Sequence, residues 1–333
     1  MAAVCEIRPH ENTGSPSPFW SVMIPTYRPE ENYLKQALDS VLIQDQGSER
    51  MQIEVVDDCS PDVDVETMVK SLAGERVKFS RTLKNLGLAG CWNTCVERAY
   101  GKWVHLLHQD DFVLYGFYNK LALAESMGGA SVGAAFCRHS YTCEDSVCLE
   151  FSAIHKRSAG ILENWKPQIA EQVHIQTPSI VVRRSVYERI GGYRSDLSYM
   201  LDWEMWQRIS MNWSFWFEPN VLAAYRIHEA SETARLMADC KIIKDFNRLL
   251  SVSSIYQEPQ TSRKYIKIAS RWMFYKSIMR SRRILVARNF DAAFSYFRET
   301  CAIPKSPIAF LEKLSFYFLY FRIRLSILKK FLI

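Results

Sequence analysis

The stretch KWVHLLHQDD, Lys102 to Asp111, decides how the chain is read. Trp103 to Leu107 make a short apolar run of strand length, and a few residues later come two adjacent carboxylates, Asp110 and Asp111. A run of this kind bounded by polar residues suits a buried strand. Side by side at a strand end, the two acids repel one another and lose part of their hydration, so a positive partner belongs with them. The candidates are a lysine or arginine, a helix N-terminus, or a metal ion.

Outward from this stretch the same alternation recurs. FWSVMIP, Phe19 to Pro25, reads as a first buried strand. PEENYLKQALDSVLIQ follows as a helix, with acids in its first turn and Tyr33, Leu34, Ala37, Leu38, Val41 and Leu42 at helical spacing. MQIEVVDDCSPD is a second strand running into Asp57 and Asp58, and a helix is predicted over 63–72. VKFSRTL is a third strand and GLAGCWNTCVERAY a third helix. Strands alternating with helices imply right-handed crossovers and an α/β fold with a mostly parallel sheet covered on both faces. Ligands of such sheets bind beyond the carboxyl ends of the strands. That rule sets Asp57 and Asp58, Asn85 and Gly87, and Asp110 and Asp111 along one edge. Any one of these sets would serve as a turn or a helix cap. Three strand ends so furnished point to a shared site.

With 333 residues, 48% hydrophobic and 23% charged, the chain has the composition of a soluble globular protein and length for one large domain or two ordinary ones. An aromatic content of 13% is high and fits an interface or sugar-like ligands. Nine cysteines form no C-x-x-C pair and no zinc-knuckle spacing, which favours reduced thiols and a cytoplasmic setting. Residues 1–18 lack an apolar core segment and read as a flexible lead-in. The net charge of +6 is unevenly spread: residues 241–333 carry 19 lysines and arginines against 5 acids, leaving the preceding body acidic. A boundary near residue 240 therefore separates an acidic body, 19–240, from a basic, aromatic-rich helical region, 241–333.

Further on, TPSIVVRRSVYERIGGY, Thr177 to Tyr193, reads as a strand, a short helix and a Gly-Gly stop, with Gly191 or Gly192 as the left-handed cap. LDWEMWQRI reads as a helix with Asp202 near its start, where an acid also complements the helix dipole. VLAAYRIHEAS is a strand ending in Arg226, Ile227 and His228. Trp203, Trp206 and Trp92 are candidates for stacking on sugar faces, although tryptophans at helical spacing more often belong to the core.

Taken in order, SVMIPTYR (21–28), EVVDDCSPD (54–62), the segment from Lys84 to Asp111, TPSIVVRRSVYERIGGY, LDWEMWQRI and YRIH (225–228) resemble the family 2 glycosyltransferases. The resemblance covers about 19 to 235 and implies the GT-A nucleotide-diphospho-sugar transferase fold, with the C-terminal helical region outside it. It implies that Asp58 holds the nucleotide base, with Pro25, Thr26, Tyr27 and Arg28 lining that pocket, and Asn85, Gly87 and Asn93 alongside the nucleotide. Asp110 and Asp111 look like the end of an Asp-x-Asp-type motif, Asp110 toward the ribose or the metal's waters and Asp111 on the metal. His228 aligns with a histidine near the metal and diphosphate, and Asp202 with the catalytic base. Where the family often has an Asp, this chain has His108.

The implied activity is inverting transfer of a sugar from a nucleotide-diphosphate donor, UDP first, to a saccharide or lipid-linked saccharide in bacterial surface-polysaccharide synthesis, with Mn²⁺ or Mg²⁺ as cofactor. The metal would be the missing positive charge. At an effective dielectric near 20, opposite unit charges 4 Å apart attract by about 4 kcal/mol, enough to offset much of the repulsion between neighbouring acids. A nucleotidyltransferase of related fold is the enzymatic alternative, although LDWEMW and YRIH suit a sugar acceptor better. A glycosidase fits poorly.

No run of about 18 uncharged apolar residues is present, so no membrane span is expected. FLEKLSFYFLYFRIRLSILKKFLI, Phe310 to Ile333, is instead nearly apolar all round on a helical wheel. Leu311, Leu314, Phe318, Phe321, Leu325, Leu328 and Leu332 share one stripe, and Phe316, Tyr320, Ile323 and Ile327 another. Arg322, Arg324, Lys329 and Lys330 would reach anionic headgroups, making the enzyme peripheral on the cytoplasmic face of the inner membrane. A homo-oligomer interface is the alternative use of the same stretch. Bases interleaved with aromatics also suit a polyanion or nucleic-acid binder, a reading the acidic body argues against.

Overall fold

Strands β1 (Trp20–Thr26) and β2 (Met51–Asp57) are buried at every position. Strands without a solvent face need cover on both sides, and α1 (Glu31–Leu42), α2 (Val65–Ala73) and α3 (Gly87–Arg98) supply it as crossovers between successive strands. Glu30 caps α1 by accepting from the Tyr33 N–H at 2.9 Å, while Leu34, Ala37, Leu38 and Val41 bury one face. The computed structural model describes residues 4–10, 16–238, 241–256, 258–286, 290–303 and 314–321. In it β1 pairs in parallel with both β2 and β4 (Trp103–Leu106), and β2 with β3 (Lys78–Arg81).

The chain continues through β5 (Phe112–Val113), α4 (Phe117–Leu121), α5 (Leu123–Gly128), β6 (Val132–Thr142), β7 (Cys148–Phe151), β8 (Gly160–Ile161), α6 (Trp165–Glu171), β9 (Ile180–Arg183), α7 (Arg184–Ile190), α8 (Leu201–Ser210) and β10 (Ser214–Arg226). The strand order is β3-β2-β1-β4-β9-β6-β10-β5, with β7 on β6 and β8 on β10. β9 runs antiparallel to both β4 and β6, so the parallel first half gives way to a mixed second half. An apolar run such as SIVVR carries no sign of its direction, and the sequence could not anticipate the reversal.

The chain divides into two compact units, the first formed by Met1–Ile169 and Val173–His228, the second by Ala170–Gln172 and Glu229–Ile333. The division falls at His228, ahead of the boundary near 240 suggested by charge. In the first unit, residues 4–10 depart from the expected flexible lead-in: Ile7 is buried, Val4 bridges Arg194, and the Cys5 carbonyl accepts from the Gly192 N–H at 2.8 Å. Gly191, at φ 82°, is where this segment crosses; a Cβ there would collide with the Val4 side chain.

The second unit holds α9 (Glu232–Ala238), α10 (Lys241–Ser253), α11 (Pro259–Val286) and α12 (Phe290–Thr300), and residues 314–321 are also helical. It has apolar packing of its own. Ile243, Phe246, Ile278 and Ala293 are buried, and Phe297 stacks on Phe316 at 4.0 Å. Of the two apolar stripes, Phe316 lies inside and Leu314, Phe318 and Phe321 lie exposed. The rest of both stripes outside 314–321, and the bases Arg322, Arg324, Lys329 and Lys330, lie outside the described residues. Among the described residues no helix is long and apolar enough to cross a membrane.

Candidate active site

Parallel register brings the strand ends level: Thr26 is paired with Asp57, and Asp57 with Arg81. The loops beyond them are tied together by hydrogen bonds between their own polar groups. The Asp58 N–H donates to the Thr26 carbonyl at 2.8 Å, the Arg28 N–H to the Ser60 hydroxyl at 2.8 Å, and the Tyr27 N–H to Gln109 Oε1 at 2.8 Å. Gln109, unmarked in the sequence, also donates to the Tyr27 carbonyl and so joins the loop after β1 to the loop after β4. Pro25 and Thr26 are buried, Tyr27 is exposed, and Arg28, at φ 48°, reaches Asp62 at 2.7 Å on the surface.

The acids after β2 are engaged on every oxygen. Asp57 accepts from the Ser60 N–H and hydroxyl and faces Arg81 at 3.4 Å. Asp58 accepts from the Leu86 N–H at 2.8 Å, the Gly87 N–H at 2.9 Å and the Thr82 hydroxyl at 3.1 Å. Asn85 Oδ1 also accepts from the Gly87 N–H, whose φ of 72° is one a side chain rarely adopts. Asn93 sits elsewhere: its amide bridges the Tyr193 backbone, donating to the carbonyl at 2.9 Å and accepting from the N–H at 2.7 Å.

The acids after β4 are held differently. Asp111, 1% exposed, accepts from the Arg226 N–H through Oδ1 at 2.8 Å. Its Oδ2 is buried without a hydrogen-bond partner, although His108 Nδ1 stands 3.2 Å away; the two are close but not aligned for a bond. His108 Nε2 is likewise buried and unpartnered. Asp110 Oδ2 meets His228 Nε2 at 2.8 Å. Burial pushes the Asp111 carboxyl up to about 6, with Asp110 adding to the rise and His108 opposing it. Burial acts the same way on Asp110, yet His228 and His108 hold its carboxyl below the usual value. The histidines respond in kind. The bond to Asp110 raises His228, and for His108 the effect of burial is outweighed by the neighbouring carboxylates.

Arg226 organises this corner, a role the sequence reading missed. Its buried guanidinium donates to the Asp110 and Glu144 carbonyls at 2.8 and 2.7 Å and to the Gln36 side chain, and lies over the Tyr33 ring at 4.4 Å. A strand ending in YR was the available signal. His105, three residues before His108, is its opposite in character: both ring nitrogens are used, by the Tyr118 hydroxyl and the Pro178 carbonyl, and burial pushes it down to about 3.

Asp202 lies in the first turn of α8, with Oδ1 accepting from the Trp203 N–H at 2.6 Å, and its charge acts on both His108 and Tyr193. Beneath it a buried pair, Glu204 and Arg208 at 2.9 Å, fixes the helix to the Gly-Gly stop, Arg208 donating to the Ile190 and Gly192 carbonyls. Trp203 and Trp206 are 1% exposed and belong to the core, Trp203 donating to the Ile169 carbonyl. Trp92, also buried, stacks on the His108 ring at 5.0 Å.

The ligating atoms of His108, Asp110 and Asp111 lie within 4.8 Å of one another, the one such grouping among the described residues. Two carboxylates, an imidazole and an orphaned buried Oδ2 suit a divalent cation. Residues 21–191 match the profile of glycosyl transferase family 2. An uncharacterised protein of Mycobacterium tuberculosis is 27% identical over 245 residues, 70% of this chain and 75% of that one. Residues 1–349 of TarS from Staphylococcus aureus in complex with UDP-GlcNAc superpose with a TM-score of 0.62 at 16% identity, covering 86% of this chain and 81% of that one. A mannosyltransferase from Pyrobaculum calidifontis in complex with GDP-Man and Mn²⁺ gives 0.52 at 14% identity, covering 90% and 89%. At such identities the superpositions speak for the fold. The profile, spanning just over half of the chain, speaks for more: the protein belongs to glycosyl transferase family 2 and is a glycosyltransferase of GT-A fold.

Proposed function

We propose that the enzyme transfers a monosaccharide from a nucleotide-diphosphate donor, UDP-linked first, to a hydroxyl of a saccharide or lipid-linked saccharide, inverting the anomeric centre. The observation that carries this reading is the buried, unpartnered Asp111 Oδ2, set with Asp110 and His108 at the strand ends within electrostatic reach of Asp202. A divalent ion, Mn²⁺ or Mg²⁺, would be held by Asp111, with Asp110 and His228 beside it, and would supply a counter-charge for the departing diphosphate. The chain's own groups do the rest. Asp58, with Thr26, Tyr27 and Arg28, receives the base, and the Asn85–Gly87 loop borders the ribose. A carboxylate oxygen of Asp202 takes the proton from the attacking hydroxyl, help worth roughly 10²–10⁴ in rate. Asn93 contributes indirectly, by pinning Tyr193.

A thermal-shift screen of UDP-, GDP- and dTDP-sugars, with and without Mn²⁺, tests the donor reading. Stabilisation by one nucleotide class in a metal-dependent way is expected; indifference to all three with the metal present would refute it.

The exposed Leu314, Phe318 and Phe321, beside a tail of net positive charge, support peripheral attachment to an anionic membrane on its cytoplasmic face, as surface-polysaccharide synthesis would need. Flotation with anionic but not neutral liposomes is expected. Concentration-dependent dimerisation without flotation would favour the oligomer interface instead.

A further inference from the structure

We propose that His108 is itself a metal ligand and that its nitrogen biases the site toward a first-row transition ion over Mg²⁺. The inference rests on the reading of this corner as the donor diphosphate's metal site and adds to it the class of ion.

Geometry carries the first half. His108 Nδ1 lies 3.2 Å from Asp111 Oδ2, which has no aligned hydrogen bond among the described residues, and such a separation suits two ligands of one ion. The ring is not at liberty to leave. It stacks on Trp92 at 5.0 Å with planes 27° apart, Trp92 is itself 2% exposed, and Tyr193, edge-on to Trp92 at 4.9 Å, is pinned at its backbone by Asn93. Such support fixes the ring plane and so the direction in which a nitrogen lone pair points. The other histidine of the corner is accounted for, because His228 Nε2 meets Asp110 at 2.8 Å.

Chemistry carries the second half. Mg²⁺ and Ca²⁺ are hard ions that take oxygen and keep their waters, whereas imidazole suits transition ions, with affinity rising from Mn²⁺ to Co²⁺. A neutral imidazole also leaves the cradle with two carboxylate charges instead of three, removing attraction that would favour Mg²⁺ as much as any other dication.

The test is calorimetric titration of Co²⁺ and Mg²⁺ into the 333-residue chain, alone and with UDP or GDP, for wild type, H108D, H108N and D111N, each checked for its fold by near-ultraviolet circular dichroism. The Co²⁺ to Mg²⁺ affinity ratio should fall about tenfold or more in both His108 variants. In the Mn²⁺-loaded protein, nitrogen modulation of the electron spin echo should vanish in H108D and H108N and persist in H228Q. An unchanged ratio with persisting nitrogen modulation in the His108 variants overturns the proposal; so does modulation lost only in H228Q. Should D111N abolish binding while His108 variants keep the ratio, the metal site stands and this role of His108 falls. Should wild type bind neither ion, the reading of the site itself falls.

Discussion

Two Asp-Asp pairs leave two buried parallel strands of the same sheet, yet they are in opposite states. After β2, Asp57 and Asp58 have every oxygen engaged by backbone N–H groups, hydroxyls or Arg81. After β4, Asp111 is just as buried but has one oxygen without a hydrogen-bond partner, and the Asp110 carboxylate meets the His228 ring. A buried carboxylate oxygen without a hydrogen-bond partner costs free energy, and a cation arriving there would recover it. The first pair ties the loops at the strand ends together; the second is the pair that the proposed metal would meet.

The sharpest way to break this contrast is D111N. Turnover is expected to drop about a thousandfold, with metal binding lost in calorimetry, because the counter-charge to the leaving group goes with it. The urea midpoint should hold or rise, since the variant removes a buried charge that the Arg226 N–H and His108 offset only in part. D202N should cost about a hundredfold in turnover while leaving nucleotide affinity intact in the same titrations. Near-normal turnover would remove Asp202 from the base role.

D57A tests the other pair and should do the reverse. It orphans the Ser60 N–H and the Arg81 partner, so about 2 kcal/mol of stability should go, read from urea unfolding at unchanged slope. The smallest effect is on pH. Burial pushes His105 down to about 3 and His139 to about 4, so the unfolded chain binds more protons than the folded one below its ordinary histidine value near 6.5. Their contribution is complete above that pH and is lost as the pH falls toward 4, each approaching about 1.4 kcal/mol per unit. Asp111, raised to about 6, acts in the opposite sense below that pH by taking up a proton in the folded state. Urea midpoints should therefore fall between pH 7 and 5 in wild type, and more steeply in D111N.

The alternation of strands and helices was legible from residue 19 to 111 because β1, β2 and β4 are buried on both faces and the helices between them carry apolar stripes, patterns that local sequence alone encodes. The strand ends were legible too, since parallel register leaves polar pairs nowhere else to lie. Less could be read where a residue's role depends on a distant partner. Gln109 is a loop glutamine until Tyr27 is beside it, Arg226 a strand-end base until the Asp110 carbonyl and Tyr33 close around it, and Arg208 a helix surface charge until the Gly192 carbonyl meets it. Trp92 changed meaning most, from a candidate sugar platform to the plate against which His108 stacks.

By itself, then, the sequence determined the α/β order, the one edge on which the acids collect and the charge division between body and tail, because hydrophobic period and charge are written residue by residue. Only the tertiary structure decided which carboxylate is satisfied and which is not, where β9 reverses, and that His108 stands with Asp111. Hydrogen-bond satisfaction is a property of pairs brought together across scores of residues, and no local pattern records it.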